Sequence, residues 1–441
     1  MRQEKTIFIS IASYRDSELL PTLRDMVSQA KYPERLNIAI CLQSDLNTQI
    51  FINEGMKLVE STISGSYPCF NFIWRNTTVR VINIHYLSSQ GACWARHLLD
   101  RCYDQQDYFL QIDSHCRFIP EWDSEMITML ESLRQESQWP VLSSYPAAYT
   151  PGEPETRRDF VSRLIFNGFT DDGIVSLTSK PFIADTPQRC GYLAAGFIFA
   201  DGHFITRVPN DPNIFFMGEE ISMAVRAWLQ GYEFWSPHKI LLWHFYTREN
   251  SPKIWEDHND EAKKHGLVSQ TWWERDREAK KSIHNMLTST KIQTGNQDIE
   301  RNLQLYQYHI GIDFSTQKIH PEILEPLTVN WFNELPSSHE QWLESLVYSC
   351  KNELILEKNE VHLNNQDIAS WQVNVYSTDN TTVLTKNYTA QSLQENTSTQ
   401  HENKIVLKLN VITHEKTCPA YIRICPYMNN DSWGTMLEKP W

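Results

Sequence analysis

The residues of this chain best suited to chemistry are Asp113 and His115, in the segment 111–118. They lie two positions apart, so in an extended segment their side chains point to the same side. A carboxylate and an imidazole together suit manganese or a similar divalent ion. An apolar run, 108–110, precedes them and is typical of a buried strand. A metal at the carboxyl end of a strand in an open α/β sheet is well placed to hold a nucleotide diphosphate.

His244 is the candidate for a third ligand. It lies near the end of the apolar segment Leu241–Tyr246. A lone histidine in such a strand is more often a core residue, and Asp113 or His115 could instead cap a turn. We favour the ligand role for His244 because Asp113 and His115 otherwise lack a third protein ligand.

Two adjacent carboxylates, Glu219 and Glu220, follow Gly218 at the start of a predicted helix. They could simply be acidic residues that the helix dipole favours at its N-terminus. The aromatic residues 215–216 before them favour a role at a sugar site. There, Gly218 would let the backbone approach a bound sugar, and a carboxylate would bind its hydroxyls or order the acceptor.

The loop Ser13–Asp16 directly follows the first predicted strand. In an open α/β sheet this loop commonly binds a nucleotide. Tyr14 could stack on a base, and Arg15 could meet a phosphate or pair with Asp16. Taken alone, Arg15 is more simply a surface charge.

Two further arginines could balance the charge of a diphosphate. Arg96 opens a predicted helix expected to face the same side, and could pair with Asp113 or the diphosphate. Arg248 follows His244 by four residues and could neutralise the leaving diphosphate. The sequence has no phosphate-loop motif, no Gly-x-Gly-x-x-Gly and no Gly-x-Ser-x-Gly, which argues against common kinases, dehydrogenases and α/β-hydrolases.

The elements that must position these residues alternate between strands and helices in the first half of the chain. Such alternation predicts an α/β fold with a mostly parallel sheet flanked by helices. The predicted strands are Thr6–Ala12, Leu36–Leu42, Val79–Leu87, Asp107–Ile112 and Pro140–Ser144, and the predicted helices are Ser17–Lys31, Ala92–Tyr103 and Pro120–Glu136.

Residues 145–190 show weak periodicity and predict a long excursion over the active-site face. A strand over Tyr192–Ala200 follows, in which Gly196 indicates that a ligand or another backbone comes close. The remaining predicted elements are a helix at Glu219–Gly231, a strand at Lys239–Tyr246, and helices around 257–289 and 298–309.

The composition changes after about residue 335. Four segments alternate like half-buried strands and predict a small all-β, sandwich-like domain over 336–441, next to a catalytic domain over 1–335. The β domain would bind an acceptor or partner, or would equally be a structural appendage or a dimer contact. The four segments are Trp371–Tyr376, Thr381–Lys386, Lys404–Ile412 and Ala420–Cys425.

The net charge and the cysteine content limit the possible partners and cellular compartments of the protein. A formal net charge of −14 argues against broad nucleic-acid binding and a polybasic membrane anchor. No stretch approaches a membrane span of about 20 apolar residues, and no signal peptide is visible. Nine cysteines without regular spacing fit reduced thiols, so we expect a cytoplasmic protein, with oligomerisation possible.

Four motifs together resemble the hydroxyproline N-acetylglucosaminyltransferase family, over about residues 5–315. They are more distantly similar to the polypeptide N-acetylgalactosaminyltransferases. Best-known members of the first family modify a hydroxyproline of a ubiquitin-ligase subunit in the cytoplasm, whereas the C-terminal β region here departs from its basic pattern. The motifs are 10–16 (SIASYRD), 111–118 (QIDSHCRF), 194–197 (AAGF) and 216–221 (FMGEEI).

The resemblance implies a GT-A fold, a UDP-sugar donor, a divalent cation and a retaining transfer. It implies that Asp113, His115 and His244 bind the metal, and that Glu219 and Glu220 face the donor sugar and acceptor. No nucleophile is assigned, because the leaving phosphate can itself serve as the base. The residues predicted to bind the donor nucleotide are Ala12, Ser13, Tyr14, Arg15, Gln43, Arg96, Asp113, Ser114, Gly196 and Arg248.

These expectations converge on transfer of N-acetylglucosamine from UDP-N-acetylglucosamine to a hydroxyl of a protein or glycan, with Mn²⁺ or Mg²⁺. One rival keeps the fold and changes the donor: a hexosyltransferase that builds a surface polysaccharide. The other rival is a catalytically silent protein that binds a sugar or a partner.

Overall fold

The computed structural model describes residues 5–45, 47–153, 156–289, 301–324, 331–398 and 403–441. The chain divides into two compact units, which are taken separately below. The first comprises Met1–Ile310 and Pro326–Leu335, and the second comprises Gly311–Glu325 and Pro336–Trp441. Residues 298–300 of the helix predicted over 298–309 lie outside the described residues.

The strands are numbered in chain order. They are β1 (Ile7–Tyr14), β2 (Leu36–Ser44), β3 (Lys57–Ser64), β4 (Tyr67–Trp74), β5 (Thr77–His85), β6 (Tyr108–Asp113), β7 (Cys116–Phe118), β8 (Pro140–Ser143), β9 (Ala147–Ala148), β10 (Val161–Phe169), β11 (Val175–Phe182), β12 (Gln188–Cys190), β13 (Phe197–Asp201), β14 (Glu233–Ser236), β15 (Leu242–His244), β16 (Ile312–Asp313), β17 (Lys318–Ile319), β18 (Tyr348–Glu357), β19 (Ile368–Ser377), β20 (Thr382–Tyr388), β21 (Lys404–Thr413), β22 (Pro419–Met428) and β23 (Leu437–Pro440).

The α-helices are numbered in the same way. They are α1 (Leu19–Gln29), α2 (Gln49–Asn53), α3 (Ala92–Asp100), α4 (Trp122–Ser132), α5 (Phe204–Arg207), α6 (Glu219–Leu229), α7 (Ile254–Asp257), α8 (Asp260–Lys264), α9 (Trp272–Thr288), α10 (Leu303–Ile310), α11 (His339–Ser345) and α12 (Ala390–Glu395).

A ten-stranded sheet in the order β12-β14-β8-β13-β6-β1-β2-β5-β4-β3 forms the centre of the first unit. The pairs β6–β1, β1–β2, β2–β5 and β14–β8 are parallel. Only β4, β12 and β13 run against the other seven strands, because each pairs antiparallel with its neighbours. The predicted α/β class, with a mostly parallel sheet flanked by helices, is confirmed.

The central strands are covered on both faces, which explains their unbroken apolar sequence. Ile7, Ile9 and Ile11 of β1 belong to the core cluster that also contains the apolar residues of α1 and α4. On the opposite face, Phe8 stacks on Phe109 with ring centroids 6.4 Å apart. The burial on both sides holds the carboxyl ends of β1 and β6 in place.

The excursion predicted over 145–190 contains regular structure. β9 joins β7 and β15 in a separate three-stranded sheet, and β10 and β11 form a hairpin. The strand predicted over Lys239–Tyr246 is reduced to β15, because that segment pairs with the short strands β7 and β9 and not with the large sheet. This pairing decides where His244 lies.

The second unit has a core of its own. β18 pairs with β21, and β20, β19, β22 and β23 form a four-stranded sheet. Side chains of both sheets share one apolar cluster, in which Trp371 is 1% exposed. The C-terminal β-strands that were predicted are present, and the paired sheets form a small sandwich-like unit.

Several strands escaped prediction, among them β3, β4 and β18. β3 lies at the edge of the large sheet and is exposed along nearly its whole length, so it lacks the apolar alternation that signals a strand. All nine cysteines are free thiols, and Cys41, Cys93, Cys102 and Cys116 are buried as core residues. In the part of the chain that is described, no helix is long and apolar enough to cross a membrane.

Candidate functional site

Asp113, His115 and His244 meet at the carboxyl end of β6. Asp113 is the last residue of β6, and the chain then turns through Ser114 and His115 into β7. Antiparallel pairing of β7 with β15 sets His244 opposite Cys116. The candidate ligand atoms of the three side chains all lie within 4.8 Å of one another. The triad therefore combines two residues that are close in sequence, Asp113 and His115, with His244, which the pairing of β7 with β15 brings to them.

The protonation states around the triad suit a metal ion. Burial raises the pKa of Asp113, but the hydrogen bond with His244 and the charge of Arg96 outweigh it and hold that pKa well below its usual range. Burial lowers the pKa of His244, against a hydrogen bond with Asp113 that raises it. Near neutral pH the site thus offers a carboxylate and a neutral imidazole, the forms that bind metals.

Arg96 joins two carboxylates beneath the triad. Its guanidinium donates to Asp113 Oδ1 over 2.8 Å and to Glu219 Oε1 over 2.5 Å. The Arg96 side chain is only 4% exposed, and that of Glu219 is 6% exposed. Of the two partners foreseen for Arg96, the structure shows Asp113. Arg96 thus balances the charge of Glu219.

Glu220 has a different environment from its neighbour. Its carboxyl group accepts from the Tyr145 hydroxyl over 2.6 Å and from the backbone N–H of Ala195 over 3.1 Å. Burial raises the pKa of Glu220 to about 7, although both hydrogen bonds act to lower it. Glu220 therefore changes charge in the neutral range. Glu219, in contrast, is paired with Arg96.

A cavity of about 500 Å³ opens above these groups. The triad and both carboxylates line it, and the hairpin residues Val175–Leu177 form part of its wall. Exposed aromatic side chains stand at its rim: Phe216 is 57% exposed and Trp255 is 42% exposed. Of the residues predicted from the sequence, those lining the cavity are Ala12, Tyr14, Gln43, Arg96, Asp113, Ser114, His115, Gly196, Glu219, Glu220, His244 and Arg248.

Ser13 and Arg15 do not line this cavity. Ser13 is fully buried within the sheet. Arg15 donates to both carboxylate oxygens of Asp257, over 2.9 and 2.8 Å, so it does not form the predicted pair with Asp16. The Tyr14 hydroxyl also donates to Asp257, over 2.7 Å, which ties the loop after β1 to α7.

Two glycines, Gly196 and Gly218, mark close approaches of side chains to the backbone. A Cβ at Gly196 would lie 2.8 Å from Asp113 Oδ2, so this glycine makes room for the carboxylate. A Cβ at Gly218 would lie 2.6 Å from Ile283 and 3.1 Å from Ile174. The close neighbours of Gly218 are thus side chains of α9 and the hairpin, and because Gly218 also lines the cavity, the approach of a sugar to its backbone stays a prediction.

Sequence reasoning missed three side chains of the site. Asp16 was considered as a partner for Arg15, yet it contacts Ser114, His115 and Arg248. Asp16 lies in the loop after β1, and that position could have marked it as a site residue. Asp257 and Tyr145 are brought in only by the fold, and no local motif marks them.

Comparison with solved structures finds low identities. The chain resembles GalNAc-T7 with UDP, GalNAc and Mn²⁺ at 12% identity and a TM-score of 0.42, covering 64% of this chain. The similarity spans 55% of the GalNAc-T7 chain. It resembles residues 1–349 of S. aureus TarS with UDP-GlcNAc at 10% identity and a TM-score of 0.34, covering 65% of this chain and 74% of that chain. A second structure, of S. aureus TarS, gives 9% identity and a TM-score of 0.34, covering 99% of this chain and 77% of that one.

The comparison with sequence families is more informative. Among curated proteins, no sequence matches this chain. A family model described as Glycosyltransferase (GlcNAc) matches residues 6–316, a range that includes the triad, both carboxylates and Arg248. Because this match spans more than two thirds of the chain, the protein belongs to the glycosyltransferase (GlcNAc) family.

Proposed function

We propose that this chain transfers N-acetylglucosamine from UDP-N-acetylglucosamine to a hydroxyl group of a protein or glycan, with retention at the anomeric carbon. The observation that carries the proposal is the triad of Asp113, His115 and His244 in the lining of one cavity. Membership of a GlcNAc glycosyltransferase family supports the choice of sugar.

Asp113, His115 and His244 would hold a divalent cation, with Mn²⁺ as the first candidate and Mg²⁺ as the second. One carboxylate oxygen and two imidazole nitrogens form a mixed donor set that suits Mn²⁺. When bound, such an ion supplies Lewis acidity that stabilises the charge of a departing diphosphate. For His244 to act as a ligand, its Nε2 must give up the hydrogen that it shares with Asp113 Oδ2 over 3.1 Å.

The chain's own groups would orient the donor around that ion. Arg248 and Lys253 both line the cavity and supply positive charge beside the triad. Ala12, Tyr14 and Gln43 would receive the nucleoside. Arg96 keeps Asp113 ionised and in one position.

Neither glutamate is assigned as a nucleophile. Glu219 is bound by Arg96, and both oxygens of Glu220 accept hydrogen bonds from Tyr145 and Ala195. We propose that they act as positioning groups, with Glu220 nearest to the sugar and the acceptor hydroxyl. A leaving-phosphate oxygen would then take the acceptor proton.

A donor panel tests this function. The full chain is incubated with Mn²⁺ and with UDP-GlcNAc, UDP-GalNAc, UDP-glucose or UDP-galactose, and UDP release is measured with and without candidate protein and glycan acceptors. We expect the fastest release from UDP-GlcNAc and a HexNAc mass increase on an acceptor. Faster turnover of a UDP-hexose would favour the polysaccharide hexosyltransferase, and absence of any UDP-dependent thermal shift would favour a silent binding protein.

A further inference from the structure

Asp16 is a buried carboxylate on which three side chains from distant segments converge. Its Oδ2 atom lies 2.6 Å from Ser114 Oγ, 2.8 Å from His115 Nδ1 and 3.2 Å from a terminal nitrogen of Arg248. Its other oxygen accepts from the backbone N–H of Glu18 over 3.0 Å. The Asp16 side chain is only 2% exposed, so these contacts are shielded from solvent.

The contact with His115 sets which ring nitrogen carries the hydrogen. An ionised carboxylate only accepts, so His115 Nδ1 must donate to Asp16. In the neutral ring, Nε2 then keeps its lone pair. A carboxylate that accepts from the far nitrogen of a ligating histidine fixes the ring's tautomer and orientation, and strengthens it as a ligand.

The contact with Arg248 gives Asp16 a second role. Arg248 lines the cavity, and its guanidinium would otherwise be free to sample several rotamers at 19% side-chain exposure. Its contact with Asp16 limits that freedom and holds the positive charge close to His115. One carboxylate thus links a candidate metal ligand to a candidate diphosphate ligand.

We infer that Asp16 is the positioning residue of the metal site: it holds His115 with Nε2 free for the ion and holds Arg248 beside it. This inference rests on the proposed function, because it requires that Asp113, His115 and His244 bind a divalent cation. Asp16 is not one of the three candidate ligands and would act through His115 and Arg248. Its effect should therefore appear in metal affinity before any turnover.

The test is an Mn²⁺ titration of the full chain without nucleotide, followed by the EPR signal of free Mn²⁺. Asp16→Asn keeps the shape of the side chain and removes its charge. We expect it to weaken Mn²⁺ binding by about 10- to 100-fold, the usual effect of losing such a supporting group. The matched control is Asp123→Asn, because Asp123 is also a buried carboxylate and accepts two backbone N–H groups, from Lys31 and Tyr32.

The control separates positioning from folding. Asp123 does not line the cavity, so Asp123→Asn should bind Mn²⁺ like the wild type even if it unfolds at a lower temperature. If folded Asp16→Asn also binds like the wild type, the role of Asp16 is wrong while the metal site stands. If the wild type binds no Mn²⁺, the metal site fails and this inference fails with it.

A second measurement needs no variant of Asp16. In wild-type chain labelled with ¹⁵N at histidine rings, the resonances of His115 are identified by their loss in His115→Gln. Without metal, His115 should carry its hydrogen on Nδ1, with an unprotonated Nε2. A ring protonated at Nε2 alone would overturn the inference, even if Asp16→Asn fails to fold.

Discussion

At the scale of single residues, Arg96 forms ion pairs with two carboxylates that line the cavity, Asp113 and Glu219. Arg96 is 4% exposed and donates to both Asp113 and Glu219. Removing one partner of a buried ion pair leaves the remaining charge without compensation, which is far more costly than losing an exposed pair. Arg96 therefore contributes both to the stability of the fold and to the charge of the site.

Arg96→Gln should lower the free energy of unfolding by about 3–5 kcal/mol, because it leaves buried carboxylates unpaired. Urea unfolding measures the loss. Arg24→Gln is the control, since the Arg24 side chain is 50% exposed in its pair with Glu54 and such pairs contribute about 0–1 kcal/mol. Equal, small losses in both variants would contradict the account of Arg96.

The raised pKa of Glu220 predicts that the free energy of unfolding depends on pH. Its pKa is raised from 4.5 to about 7, so the folded chain holds a proton that the unfolded chain loses. The stabilisation is complete below the unfolded pKa and is lost as the pH rises through the folded one. Glu220→Gln does not titrate and should escape that loss.

Urea unfolding as a function of pH measures this effect. Between about pH 4.5 and pH 8, the stability of Glu220→Gln relative to wild type should rise by about 2–3 kcal/mol. Glu136→Gln, a change at an exposed carboxylate, should show no such trend. A flat difference between Glu220→Gln and wild type would contradict the environment described for Glu220.

At the scale of elements, the site is formed where several chain segments end together. β6 supplies Asp113, the β7–β15 pairing supplies His244, and the turn before β13 brings Gly196 against Asp113. The close approach at Gly196 leaves no room for a side chain. The geometry of the triad therefore depends on the packing of this turn against β6.

Gly196→Ala tests that packing. The added Cβ would lie 2.8 Å from Asp113 Oδ2, so the carboxylate must move and Mn²⁺ should bind at least about 10-fold more weakly. Gly168→Ala is the matched control, because a Cβ there meets nothing within 4 Å. Titration of both variants with Mn²⁺ measures the effect. Unchanged Mn²⁺ binding by Gly196→Ala would show that Gly196 does not confine the Asp113 carboxylate.

The buried elements were predictable from sequence, whereas most long-range contacts were not. β1, β6 and α1 begin and end within about two residues of the predicted bounds, because buried strands and amphipathic helices leave strong apolar patterns. β3 was missed because its exposed edge position removes that pattern. Asp113 and His115 are neighbours in sequence, but the link from Arg15 to Asp257 joins residues 242 positions apart.

At the scale of the whole molecule, two separate apolar cores indicate two folding units. The core of the large sheet and the core around Trp371 share no residue. Each unit can therefore lose its packing by its own transition, as is common in chains with more than one core.

Calorimetry of the full chain should resolve two transitions. UDP with Mn²⁺ should raise the temperature of the transition that belongs to the first unit, since a ligand stabilises the state that binds it. Trp371→Ala should lower the temperature of the transition of the second unit, because emptying a buried aromatic site costs about 3–5 kcal/mol. A single transition that responds to both changes would contradict the division into two folding units.

The most direct test of the central claim is UDP release from UDP-GlcNAc as a function of added Mn²⁺, in metal-stripped wild type and in Asp113→Ala, His115→Ala and His244→Ala. Asp123→Asn serves as a variant outside the cavity. We predict that the wild type and Asp123→Asn require the ion and that each triad variant loses at least about 100-fold in rate. Turnover at the wild-type rate without metal, or in all three triad variants, would contradict the account.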